Sequence, residues 1–87
     1  GKAIWEIPLS ELFVICEEVI SVTQLASEIE RTSEGGNMYL KIRHQFSDEK
    51  VILKLVELFS KVFRAAGYAF EVRTISNLII FEFAGAS

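Results

Sequence analysis

Few side chains in this sequence could carry covalent chemistry: there is one cysteine, Cys16, one histidine, His44, and one aspartate, Asp48. Nucleophilic catalysis needs a nucleophile, a base and a group to orient the base, so the supply is nearly empty. Cys16 falls on an apolar stripe between Leu12 and Val19. There a thiol behaves as a small buried hydrophobe with an undepressed pKa. His44 shares parity with Leu40, Ile42 and Phe46 at a strand end, the setting of a half-buried imidazole bonded to backbone. A structural zinc site takes about four Cys or His ligands, so no metal is expected. The carboxylate pairs Glu17-Glu18 and Asp48-Glu49 are neighbours that point about 100° apart on a helix, and solvation or capping accounts for them. Gly35-Gly36 lacks the further glycines of a dinucleotide fingerprint and the Gly-Lys-Ser/Thr of a phosphate loop, so no cofactor is expected either. Enzymatic function is left to a site assembled between chains or to an uncommon use of Cys16 or His44.

The elements that must position these groups fit in one domain of 87 residues, 51% apolar and 24% charged. The longest apolar runs are about five residues, far short of the roughly 20 that span a bilayer. Gly1 to Glu6 lacks the regions of a secretory signal, so an intracellular, cytoplasmic address is expected, and Ala84 to Ser87 reads as a frayed tail.

Ala3 to Ile7, closed by Pro8, reads as a first strand. Ser10 offers an N-cap, and Leu12, Ile15, Cys16, Val19, Thr23, Ala26 and Ile29 recur at helical steps up to a left-handed stop at Gly35-Gly36. Such a helix is long for a chain of this size, and the β-branched cluster Val19, Ile20, Val22 and Thr23 is the expected break. An alternative makes Leu12 to Ile20 a strand hairpinned to the first. Met38 to Phe46 alternates as a half-buried strand. Ser47-Asp48-Glu49 caps a second helix whose solvent stripe is Lys50, Lys54, Glu57, Lys61 and Arg64, and Gly67 ends it. Tyr68 to Thr74 and Leu78 to Phe83 form a last hairpin, with Asn77 available for a left-handed position.

The resulting order, βαβαββ, predicts an α/β (α+β) two-layer sandwich: a four-stranded mixed sheet with both helices on one face and the other face bare. Parity places Ile4, Tyr39, Lys41, Arg43, Arg73, Leu78 and Ile80 on that bare face, together with Glu6, Glu71 and Glu82. A surface that mixes large apolar groups with pairable charges has the composition of a protein interface. Three cations and a stacking ring there also allow nucleic-acid binding. The net charge of −3 and pI near 5.1 argue against it. Charge is also unevenly placed, with six acids and one base over residues 9–36, which suits a partner of opposite charge, including a second copy.

The order βαβαββ resembles three families: the chromatin-binding Alba proteins, the carboxy-terminal domain of bacterial translation initiation factor three, and the sulfur-relay TusA/SirA proteins. The likeness is one of architecture. The sulfur-relay family has Cys-Pro-x-Pro where the first strand enters the first helix, and this chain has Ile7-Pro8-Leu9-Ser10, a carrier without its cysteine. Alba-like proteins carry lysines in the loops that meet nucleic acid, and Pro8 to Glu11 and Thr74 to Asn77 carry no base. Val22 to Ile29 also resembles the second helix of a helix-turn-helix, with Tyr68 to Phe83 as the wing of a winged-helix domain. The function expected from the residues is a small non-enzymatic module that self-associates or docks a protein through the bare sheet face. Nucleic-acid binding, of bare-sheet or winged-helix type, is the alternative.

Overall fold

The computed structural model describes residues 7–23 and 28–85. In chain order the elements are α1 (Leu9–Thr23), β1 (Glu28–Glu34), β2 (Asn37–Arg43), α2 (Glu49–Ala65), β3 (Glu71–Ile75) and β4 (Leu78–Phe83). The strands form one sheet in the order β1-β2-β4-β3. The architecture is the expected α+β one, two helices against a four-stranded sheet, although every pairing is antiparallel. The mixed sheet was inferred from strands joined through helices. Two hairpins and an antiparallel β2·β4 pair leave no parallel pair to form.

The first half of the chain differs most from expectation. The strand expected at Ala3 to Ile7 lies outside the described residues except for Ile7, which sits at a bend where its carbonyl accepts the Tyr68 hydroxyl at 2.9 Å. The first helix begins at Leu9, one residue before the expected cap Ser10, and the Pro8 carbonyl accepts its first N–H groups, from Glu11 at 3.0 Å and Leu12 at 3.2 Å. Leu12 to Ile20 is therefore helix and not strand. The helix is described as far as Thr23, whose hydroxyl bonds back to the Val19 carbonyl. It does not run on to Gly35. Glu28 to Glu34 is a strand, and Gly35-Gly36 is a two-residue hairpin turn with φ of 60° and 83° at its two positions. Two successive positive φ angles define the type I′ turn, whose twist matches the strands it joins, so the glycines serve a hairpin and not a helix stop. A winged-helix arrangement goes with the lost helix, because the hairpin occupies the place of a recognition helix.

The second half follows its sequence signals closely. The Asp48 side chain accepts the Lys50 N–H at 2.9 Å and caps α2. At the other end Gly67 takes φ of 85°, its N–H reaching the Arg64 carbonyl and the Tyr68 N–H the Phe63 carbonyl, the paired closure of a Schellman motif. The strands are shorter than expected, β2 stopping at Arg43 and β3 starting at Glu71. In the β3-β4 turn the left-handed residue is Ser76, at φ 51°, and not Asn77, which instead accepts the His44 N–H on its carbonyl. Beyond β4 the Gly85 N–H donates to the Asn37 side-chain oxygen at 3.1 Å, and residues 86–87 of the expected tail lie outside the described residues.

Both helices pack on the same side of the sheet. Leu9, Leu12, Phe13, Cys16 and Ile20 of α1 meet Leu55, Phe59 and Phe63 of α2 over Leu40, Ile42, Ile79, Phe81 and Phe83. Phe63 is the hub, with ring centroids 4.8 Å from Phe83, 5.4 Å from Phe81, 5.9 Å from Phe70 and 6.1 Å from Phe13. Most of these contacts are edge-to-face, the geometry the ring quadrupoles favour. An ion pair at 2.9 Å from Arg31 to Glu17 ties β1 beneath α1. The result is a slab of 35 × 32 × 18 Å with one broad side made of helices and the other of sheet that no other described element covers.

Candidate protein-docking face

Alternation along the strands sends every second side chain away from the helices, and the register sorts these into three rows that cross all four strands, besides the pair Glu34 and Asn37 beside the first hairpin turn. The first row is Glu28, Arg43, Leu78 and Ile75; the middle row is Glu30, Lys41, Ile80 and Arg73; the third is Thr32, Tyr39, Glu82 and Glu71. Six of the seven residues singled out in the sequence, Tyr39, Lys41, Arg43, Arg73, Leu78 and Ile80, thus share one face. Ile4 lies outside the described residues. Of the acids placed with them, Glu71 and Glu82 are on the face and Glu6 is not among the described residues.

The sequence reading missed Glu28, Glu30 and Thr32, because it assigned their segment to helix, and Ile75, because it assigned it to a loop. Gly35-Gly36 immediately before an alternating run was the available signal, since paired glycines between strands mark a hairpin.

Charges on this face pair partly within it. Glu82 is the centre, its carboxylate accepting from Asn37 Nδ2 at 3.1 Å and the Tyr39 hydroxyl at 3.4 Å while Arg73 Nη2 stands 3.5 Å away. Arg43 Nε lies 3.6 Å from Glu28. Lys41 faces Glu30 in the register, yet among the described residues neither makes an ion pair. A shallow depression of about 240 Å³ opens between Thr32, Glu34, Tyr39, Lys41, Arg73 and Ile80. Leu78 and Ile80 are half-buried and Ile75 is 53% exposed, so an apolar strip crosses β4 and β3 amid the charges.

The two groups with chemical potential are elsewhere. Cys16 is a free, buried thiol whose pKa is pushed up to about 12, first by burial and then by the neighbouring Glu17 charge. A thiol held protonated is a poor nucleophile. His44 is fully buried, more so than expected, because its strand-end position lies under the Phe46 ring, which stacks on it at 5.9 Å. Its Nδ1 accepts the Phe46 N–H at 3.2 Å, and its Nε2 has no partner among the described residues. Among those residues no group of three or more His, Cys, Asp or Glu side chains could hold a metal ion, and no helix is long and apolar enough to cross a membrane.

A family described as the AF_0136_C family C-terminal domain matches residues 1–84. The chain belongs to that family. The match runs through every described element, from α1 to the end of β4. No curated protein matches the chain. Membership fixes kinship, and the chemistry of the face must be argued from its own residues.

Proposed function

We propose that this member of the AF_0136_C family is a non-enzymatic interaction module, acting in the cytoplasm, whose bare sheet face docks protein, a second copy of itself included. The observation that carries this reading is the middle and first rows of that face, where Leu78, Ile75 and Ile80 lie contiguous with Lys41 and Glu30, which make no ion pair among the described residues. Interfaces combine an apolar centre with polar groups that set orientation, whereas a solvated face has little reason to cluster three large aliphatics.

Ile80 sits at the centre of the face and is not part of the core formed by the described residues, so Ile80→Asp is the discriminating change. Sedimentation of the wild-type chain across micromolar concentrations is expected to show association that Ile80→Asp abolishes, with the circular dichroism spectrum unchanged. Association that ignores Ile80→Asp overturns the reading. So does tight oligonucleotide binding that weakens steeply with salt, the signature of phosphate contacts by Lys41, Arg43 and Arg73.

A further inference from the structure

Resting on that reading, we infer that the occupant of the sheet face is a second copy of the chain, stacked sheet to sheet about a two-fold axis parallel to the strands, so that Glu30 of each copy meets the partner's Arg73. The argument is one of charge complementarity under symmetry. A two-fold axis between two stacked sheets lies in their plane, and where the strand directions stay aligned as in a sandwich it runs either along the strands or across them.

With the axis along the strands, the order β1-β2-β4-β3 faces β3-β4-β2-β1, and each cross-strand row faces itself reversed. In the middle row Glu30 then opposes the partner's Arg73, and Lys41 lays its aliphatic stem on the partner's Ile80. In the first row Glu28 opposes the partner's Ile75 and Arg43 the partner's Leu78. In the third, Thr32 opposes the partner's Glu71 and Tyr39 the partner's Glu82. No like charges are opposed anywhere on the face.

With the axis across the strands, each strand of the middle row lies on its own copy. Glu30 would then oppose Glu30, Lys41 would oppose Lys41 and Arg73 would oppose Arg73, three like-charge contacts that complementarity forbids. Both axes keep the strand directions of the two sheets aligned, within about 30° of one another as in sandwiches, so the charges decide between them.

Size agrees with a modest affinity. Four strands about 4.8 Å apart, each presenting about six residues at 3.3 Å, make a face on the order of 20 Å square, and two such faces withdraw on the order of 1,000 Å² from water. That is the lower edge of a specific interface, where orientation by charge counts for more than area.

The test uses two single variants. Glu30→Arg sets two like positive contacts across the axis, and Arg73→Glu sets two like negative ones, so each variant alone is expected to self-associate at least about tenfold more weakly than wild type. Mixed one to one, the variants form a dimer in which one contact is the native pair and the other is that pair with its signs exchanged, so association is expected to return on mixing. Melting curves check that each variant folds. Recovery on mixing, and only on mixing, establishes the axis. If Ile80→Asp disrupts association while both charge variants associate as wild type does, the axis is overturned and the docking face stands. If the wild-type chain stays monomeric at every concentration, the second copy is overturned as occupant.

Discussion

Cys16 shows how position on an element decides what a side chain can do. It occupies the helix face between Leu12 and Ile20 that the sheet covers, and the same burial that makes it a good core residue removes it from chemistry. Its thiol is expected to resist a water-soluble alkylating reagent at neutral pH in the folded chain and to react once urea unfolds it; rapid labelling of the folded state would place it at the surface. The raised pKa has a second consequence. Below pH 9 both folded and unfolded chains keep the proton and the group is neutral to folding. Between pH 9 and about 12 the unfolded chain releases it while the folded chain holds it, so stability falls as pH rises through that window, by up to about 1.4 kcal/mol per pH unit. Cys16→Ala should flatten that part of a urea-midpoint-against-pH curve, and an unchanged slope would remove the cause. His44, by contrast, gives the core an imidazole stacked on Phe46, with one nitrogen satisfied by the Phe46 N–H and the other without a partner among the described residues.

Among the elements, the β1-β2 hairpin is the one whose sequence signal was hardest to read, and its turn is where it can be tested. Gly35 and Gly36 both hold positive φ, a conformation that a Cβ opposes by roughly 1–2 kcal/mol per residue. Gly35→Ala and Gly36→Ala should each lower the unfolding free energy by an amount of that order, read as a lower urea midpoint with the m-value unchanged, whereas Asn at either position should cost less. Had these glycines merely stopped a helix, only one of them would respond. The hairpin's first strand hid because Glu28 to Glu34 holds a single large apolar residue, Ile29, which also fits the three- and four-residue steps of α1. An edge strand with one half-buried apolar side chain carries almost no period-two signal, and what makes it a strand is its pairing with β2, a contact distant from any local propensity. The opposite holds for α2, where cap, dipole charges, apolar stripe and Gly67 agree with one another, and for β2 and β4, whose strict alternation also sorted the face residues correctly. The parallel crossovers failed for the same reason the edge strand did. Pairing order is decided by the whole sheet, and with one strand misplaced the remaining order pointed to the wrong partners.

At the scale of the molecule, two layers make a thin body in which a single shell of side chains separates helices from sheet. A chain of this size is marginally stable on its own, and covering the open side with a second copy would add the missing apolar burial. What holds the shell together is largely aromatic: Phe13, Phe63, Phe70, Phe81 and Phe83 interlock around one centre, Phe63 touching the other four. A phenylalanine can turn over about its own axis only if its neighbours briefly make room, and here the neighbours are rings equally hemmed in. The half-rotation of Phe63 should therefore be slow on the chemical-shift timescale, giving doubled or broadened carbon-13 signals for its two ring edges at low temperature. Phe46, at the rim, should give one sharp averaged set, and sharp averaged lines from Phe63 as well would mean that the centre of this protein yields far more readily than its geometry implies.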